Sequence, residues 1–490
     1  MSRARIQTHP TKVKAAHRYE VVEVVSRPKV AGTRFHFVGA GGIGMSGLAQ
    51  LLLDKHAIVT GSDQTATAVT AHLAGMGAEI HVGHHAEHVS PQAQTVVISA
   101  AIRDSNPELQ QAKQQGCRIV KYAQLLGELM DHFEGIAVSG THGKSTTSGW
   151  LAYCLRQAGV DANFLVGAGI SQLGVSAGTG DSEYFVAEAC EYDRSFLNLR
   201  PRVACILNIE RDHLDCYRDE ADIIDAFYQF ALGSKPGGLV VANGQDPNVA
   251  QVVARLGGER AVATFGLDAG CDFQARNLRR RGGLYHFDVF HDGQLLGSTG
   301  ISLPGRHNVL NALAVIAVGV SIGVEPATIL DVLSRFAGVD RRLMLKGQFH
   351  GITVLDDYAH HPTEIRASLS AIRDRYRPKR LWCVYQAHQY SRTRLFLDEF
   401  AVAFAAADKV LVPEIYFVRD SEASREEVNA AILADRMRAE GTDAVHLDTF
   451  DAVCDSLESQ LSAGDLVVTM GAGDVWKVAD EYIQRLGRNH

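Results

Sequence analysis

The sequence predicts an α/β protein of three domains, and two observations lead there. Its 490 residues exceed what one hydrophobic core serves, since single domains hold about 100–200 residues. Three times, moreover, an apolar strand runs into a polar or glycine-rich turn and then a helix, the grammar of α/β folds.

The first such unit is Phe35–Val38 followed by Gly39-Ala40-Gly41-Gly42-Ile43-Gly44. Further strands at Ile58–Thr60, Ile80–Val82 and Val96–Ile98 complete a parallel sheet, and a helix over Gln124–Phe133 closes a first domain spanning 34–134. The second unit is Ile136–Val138 followed by Ser139-Gly140-Thr141-His142-Gly143-Lys144, opening a central domain over 135–345. Strand-like pieces between 260 and 304 (Phe273–Ala275, Leu284–Phe287, Leu295–Gly297) are read as an antiparallel insertion in it. The third unit is Leu381–Tyr385 running into the polar stretch Gln386–Arg394, within a C-terminal domain over 346–490.

Composition excludes several classes. A net charge of -8 argues against a nucleic-acid binder, which shows a basic face. The exception is local: residues 1–34 carry Arg3, Arg5, Lys12, Lys14, Arg18, Arg27, Lys29 and Arg34 against Glu20 and Glu23. Residues 1–33 are therefore expected to be a solvated basic tail. That tail lacks the apolar core of a signal peptide, and no later run is long and apolar enough to span a bilayer. The eight cysteines form no CxxC pair, which fits a reducing, cytoplasmic compartment.

The most specific feature is Gly140-Thr141-His142-Gly143-Lys144-Ser145-Thr146. Backbone N–H groups of such a loop, with the following helix N-terminus, cradle phosphate oxygens, while a lysine opposes phosphate charge and a hydroxyl ligates Mg²⁺. It departs from the eight-residue P-loop, whose first glycine would fall at Val138. Glu188, in Tyr184–Glu191, and His213, in Ile206–Asp215, each close an apolar strand. Strand C-termini are where doubly wound sheets place ligands, and Ser145, Glu188 and His213 together make a donor set for Mg²⁺ or Mn²⁺.

The first glycine run reads G-x-G-x-x-G from Gly39, with Asp63 after the second strand. Taken alone this suggests a dinucleotide enzyme, so an NAD-dependent oxidoreductase is one alternative and a non-catalytic nucleotide-sugar sensor another. The ATP-type loop that follows has no purpose in the first, and Lys144, Glu188 and His213 have none in the second. Cys190 is expected to be a buried apolar filler rather than a reactive thiol.

These motifs together resemble the Mur ligase family: Gly-Thr-His-Gly-Lys-Ser at 140–145, Glu-Ala-Cys-Glu at 188–191, Asn-Ile-Glu-Arg-Asp-His at 208–213 and Gly-Arg-His-Asn-Val-Leu-Asn at 305–311. The likeness continues through Asp356–Glu364 and Gln386–Arg394. It implies an N-terminal Rossmann-like domain binding a UDP substrate, a central P-loop ATPase-like domain and a C-terminal Rossmann-like domain. The implied chemistry is ATP-dependent amide formation through an acyl phosphate, in peptidoglycan precursor synthesis. By motif position, Gly39, Gly41, Gly42, Ile43, Gly44, Asp63 and Ser99 meet the UDP substrate. Gly140 to Thr146 with His307, Asn308, Asn311, Arg342 and Asp356 meet ATP, and Ser145, Glu188 and His213 hold Mg²⁺ or Mn²⁺. Tyr358, His360, His388 and Arg392 line the amino-acid pocket, with Lys144, His213, His360, His388 and Arg392 catalytic.

The resemblance also narrows the substrate. Sibling ligases that add later residues carry a carbamylated lysine after the metal-ligating histidine, whereas His213–Ser234 contains no lysine and reads Phe227-Tyr228 at that place. That implies UDP-N-acetylmuramate as acceptor, with L-alanine as the added residue or, alternatively, a recycled tripeptide. The general base is open among His360, His361 and His388.

Overall fold

In the computed structural model, residues 30–418, 420 and 424–488 are described; the expected basic tail lies outside them except for its last residues. Among these residues the strands form three sheets. The first holds β1 (Arg34–Val38), β2 (Ile58–Asp63), β3 (Glu79–Val82), β4 (Thr95–Ile98) and β5 (Arg118–Lys121), all parallel in the order 3-2-1-4-5. Strand order reverses between β1 and β4, the position at which open parallel sheets leave a crevice for ligands.

The second sheet holds β6 (Glu134–Ser139), β7 (Asn163–Ile170), β8 (Val175–Gly178), β9 (Tyr184–Glu188), β10 (Val203–Ile206), β11 (Leu239–Asn243), β12 (Ala261–Gly266), β13 (Phe273–Arg281), β14 (Leu284–His291) and β15 (Gln294–Gly300). Its order is 15-14-13-12-11-10-6-9-7-8, with β6 between β10 and β9. The expected antiparallel insertion is β13, β14 and β15, which pair antiparallel in succession and join the sheet through β12. β12 pairs parallel to β11 and β13 parallel to β12, and antiparallel pairing begins only at β13–β14. These strands prolong the sheet edge, because burying Phe273, Ala275, Phe287 and Val289 against the helix Arg306–Ser321 needs a continuous apolar face.

The third sheet starts at Met344, slightly ahead of the expected boundary at 346. It holds β16 (Met344–Phe349), β17 (Ile352–Asp357), β18 (Leu381–Tyr385), β19 (Lys409–Val412), β20 (Ala444–His446) and β21 (Leu466–Met470), ordered 16-17-21-18-19-20. Only β16 is antiparallel, to β17. β18 is buried throughout, as expected of a central parallel strand covered on both faces.

One apolar cluster runs from Phe35 of the first sheet through Leu165 and Phe185 of the second to Leu256. The first two units therefore share a core; Gly47 makes the approach possible, since a Cβ there would meet Ala177 at 3.2 Å. No described helix is long and apolar enough to cross a membrane.

Candidate active site

The phosphate-type loop leaves β6 and enters the helix Lys144–Gln157. Gly143 has φ 83°, and a Cβ there would meet Asn311 Oδ1 at 2.9 Å, so glycine is required both for the turn and for the approach of the helix Arg306–Ser321. The loop is tied down from the next strand: Thr141 Oγ1 accepts from the Glu210 N–H at 2.8 Å, and Asn208 Oδ1 accepts from the His142 N–H at 2.7 Å.

Lys144 folds back over its own loop. Nζ donates to Gly140 O at 2.6 Å and Thr141 O at 3.0 Å, and pairs with Glu191 at 2.9 Å. Burial disfavours its charge, but Glu191 outweighs that and raises its pKa. Glu191 is buried and also faces His213 Nε2 at 3.4 Å; burial opposes its charge, yet Lys144 and His213 hold it ionised below the ordinary carboxylate value. His213 has φ 53°, and its Nδ1 lies 3.4 Å from Arg392 Nη2. Arg392 in turn donates to Asp212 Oδ1 at 2.8 Å, with both side chains buried. A chain of ion pairs and hydrogen bonds thus runs from the phosphate loop into the third unit: Lys144, Glu191, His213, Arg392 and Asp212.

The loop opens onto a cleft of about 880 Å³ between the second and third units, lined among others by His142, Gly143, Thr146, His307, Asn308, Asn311, Arg342 and Asp357. Asn311 Nδ2 donates to Asn308 Oδ1 at 2.9 Å. Burial lowers His307 to about 4, which keeps it neutral at pH 7. Asp356, expected near the nucleotide, does not line this cleft. Successive strand residues face opposite ways, and Asp356 points to Thr469 Oγ1 (2.8 Å) and Arg341 Nε (3.1 Å). Asp357 takes its place in the lining, raised to about 6 by burial against the opposing pull of Arg342.

A smaller pocket of about 460 Å³ sits at the β1/β4 switch point. Gly42, Ile43, Gly44 and Ser99 line it, as do Lys121 and Tyr122. Gly39, Gly41 and Asp63 are absent from its lining; Asp63 Oδ2 accepts from the Gly41 N–H at 2.8 Å and so shapes the turn.

Tyr358, His360 and His388 come together after β17 and β18, with ring centroids 5.4 Å apart for the first pair and 6.2 Å for the second. Arg341 and Arg342 cover the Tyr358 ring. Burial lowers His360 to about 4. Glu188 closes β9 and accepts from the Gly167 N–H at 2.8 Å. Ser145, buried in the first helical turn, follows Lys144. Cys190 is exposed, not the buried filler expected: the strand ends at Glu188, so Cys190 lies past the core. Its crowded surroundings and Glu191 still raise its thiol to about 12, which keeps it protonated.

Sequence reasoning missed the carboxylates that hold these groups. Glu364 Oε1 is 3.3 Å from His142 Nδ1 and 3.5 Å from Arg342, while its Oε2 accepts from the His360 N–H at 3.1 Å. Glu210 faces the other side of His142 at 3.3 Å. Glu191, Glu210, Asp212 and Glu364 all stood inside the quoted motifs; a basic residue or histidine beside a carboxylate was the available signal at 208–213 and 356–364, and 188–191 offered none. Burial would lower His142, but Glu210 and Glu364 raise it to about 9. A histidine raised on folding stabilises fully below its unfolded value near 6.5 and loses that contribution as pH rises through about 9. Unfolding free energy is therefore expected to fall by on the order of 2–3 kcal/mol more between pH 7 and pH 10 in the parent protein than in His142→Gln. Parallel urea titrations check this, and identical pH profiles would refute it.

Residues 34–134 match the Mur ligase family catalytic domain, 138–319 the Mur ligase middle domain and 341–473 the Mur ligase glutamate ligase domain. The chain belongs to the Mur ligase family. Among curated Mur ligases it is 42% identical over 454 residues to the UDP-N-acetylmuramate–L-alanine ligase of Geobacter sp. (strain M21), covering 92% of this chain and 97% of that one. The enzyme of the same name from Clostridium novyi is 40% identical over 452 residues, with the same coverage. Among solved Mur ligases, the UDP-N-acetylmuramate-alanine ligase of Thermotoga maritima superposes with a TM-score of 0.80 at 26% identity, covering 93% of this chain and all of that one. The murein peptide ligase of Psychrobacter arcticus gives 0.72 at 28%, covering 93% and 99%.

Proposed function

We infer that this chain is an ATP-dependent ligase that joins L-alanine to the carboxylate of UDP-N-acetylmuramate in peptidoglycan precursor synthesis. One observation supports the reading: a run of contacts, Lys144 with Glu191, Glu191 with His213 and His213 with Arg392, links the phosphate loop to the third unit. A reaction joining two anions and then an amine needs such convergence. The relatives bearing the L-alanine ligase name, similar over nearly their whole length, support the same substrate.

In this reading, the pocket at Gly42–Gly44 and Ser99 takes the UDP end, and the 880 Å³ cleft takes ATP, with His307, Asn308 and Asn311 toward the base. Ser145, Glu188 and His213 would hold Mg²⁺ or Mn²⁺; hydroxyl, carboxylate and imidazole donors suit a hard cation, and Glu191 beside His213 adds a second carboxylate. When bound, the ion neutralises phosphate charge. A muramate carboxylate oxygen attacks the γ-phosphorus and ADP leaves; the amine then attacks the acyl carbon and phosphate leaves. Lys144, kept charged by Glu191, opposes the charge that builds during the first step. Arg392 takes the amino-acid carboxylate, and Tyr358, His360 and His388 bound the space around its Cα. His360, neutral at pH 7, can accept a hydrogen bond from the incoming amine.

Phosphate release with UDP-N-acetylmuramate and ATP, scanned across amino acids and L-Ala-γ-D-Glu-diaminopimelate, tests the reading. L-Alanine is expected to be joined fastest and EDTA to stop turnover. With ¹⁸O in the muramate carboxylate, one label should appear in phosphate. Faster joining of the tripeptide would move the protein to the recycling function, and label in AMP would remove the acyl-phosphate route.

A further inference from the structure

At the seam between the phosphate loop and the third unit, beside the cleft assigned to ATP, three side chains form a group to which the ligation mechanism gives no metal. His142, Glu210 and His361 each offer one ligand atom, and these atoms lie within 4.8 Å of one another. His142 Nε2 is 3.3 Å from Glu210 Oε2, and His361 Nδ1 is 3.8 Å from the same oxygen. The two imidazole rings have centroids 4.8 Å apart. We propose that His142, Glu210 and His361 form a binding site for a transition-metal ion of the Zn²⁺ class, bridging the central and third units.

Several features support coordination rather than a chance meeting of side chains. Two imidazoles and one carboxylate are a common three-ligand set for Zn²⁺, which leaves a fourth position for water. Tetrahedral Zn–N and Zn–O bonds of about 2.0–2.2 Å place neighbouring donors roughly 3.3–3.6 Å apart. Glu210 Oε2 lies 3.3 Å from His142 Nε2 and 3.8 Å from His361 Nδ1, and coordination through His361 Nδ1 releases the Thr363 N–H from which this nitrogen now accepts a hydrogen bond. Ligating histidines characteristically present their other ring nitrogen to a carboxylate, which fixes ring orientation. His142 does so once its Nε2 proton is released on metal binding: with Nε2 toward Glu210, its Nδ1 faces Glu364 Oε1 at 3.3 Å. The carboxylate ligand is also oriented, by Thr363 Oγ1 donating to Glu210 Oε2 at 2.8 Å. His361 is buried, whereas His142 and Glu210 line the 880 Å³ cleft, so an ion has an entry path. The set differs in kind from Ser145, Glu188 and His213, because Mg²⁺ selects oxygen donors and rejects a site rich in imidazole.

Bridging has a mechanical consequence. Glu210 follows β10 and His142 follows β6, whereas His361 precedes the helix Pro362–Tyr376 of the third unit. One ion bound by all three would clamp that helix to the phosphate loop.

Equilibrium dialysis of the full chain against Zn²⁺, without nucleotide or Mg²⁺, compares the parent with two variants. Glu210→Gln keeps the shape and removes the charge. His361→Asn removes the imidazole but keeps a side-chain acceptor for the Thr363 N–H, which His361 Nδ1 caps at 3.3 Å. Each variant is expected to bind one Zn²⁺ fewer than the parent and to lose the Zn²⁺-dependent rise in unfolding midpoint. Counting by difference makes other histidine clusters irrelevant. An unchanged number of bound ions in either variant overturns the proposal. Because no substrate is present, the result is independent of the ligase reading.

Discussion

Replacing Lys144 by alanine is expected to lower ligation turnover by about 10²–10³, the usual cost of removing one preorganised group that meets developing charge. Lys144 is held in place before any substrate arrives, by two loop carbonyls and by Glu191. The same geometry predicts a second effect. Glu191 is buried, and removing its cationic partner leaves a carboxylate shared only with His213; breaking a buried pair in this way costs about 3–5 kcal/mol. Lys144→Ala should therefore unfold at lower temperature as well as turn over slowly. The double variant Lys144→Ala/Glu191→Gln separates the two effects. It should regain most of the unfolding midpoint, because a neutral amide tolerates the site, while turnover stays low. Phosphate release at saturating substrate and thermal unfolding of the three proteins check this. A folded Lys144→Ala protein retaining more than half the parent turnover would contradict the role given to the loop.

Arg392→Ala is expected to lower kcat/KM for L-alanine by about 10²–10³. Charge-assisted hydrogen bonds are worth about 1.5–3 kcal/mol each, and a guanidinium gripping a carboxylate makes two in parallel. Part of the loss is indirect. Asp212 is buried against Arg392; burial opposes its ionisation, but Arg392 and His213 keep it charged. Without Arg392 that carboxylate turns to His213, whose ring is shared with Glu191, and the central charge chain shifts. Arg392→Lys keeps the charge without the planar fork, so it should recover the stability loss more fully than the catalytic loss. If KM for L-alanine in Arg392→Ala equals that of the parent while only kcat falls, Arg392 orients His213 and does not hold the amino acid.

Whereas His213, expected to close a strand, lies seven residues beyond the end of β10 at Ile206, the sequence by itself determined the three α/β units, the phosphate loop and the strand-end position of Glu188. Each is written in a short stretch: alternation or runs of apolar residues for a strand, glycines for a turn, a lysine and hydroxyl at the helix start. The grouping of Tyr358, His360 and His388 was legible in the same way, since both motifs follow strands that end on one side of a parallel sheet. What could not be read locally was which charge meets which. Lys144 pairs with Glu191, His142 with Glu210 and Glu364, and Arg392 with Asp212, over separations from 47 to 222 residues in the chain. Which of Asp356 and Asp357 faces the cleft could not be read from the sequence, because adjacent strand residues look alike in composition and differ only in the face they present. The edge strands β13–β15 joined the central sheet because their apolar face had a helix to cover it. Only the tertiary structure decided these pairings, since the energy of a buried charge depends on its nearest partner in space, and chain spacing does not specify that partner.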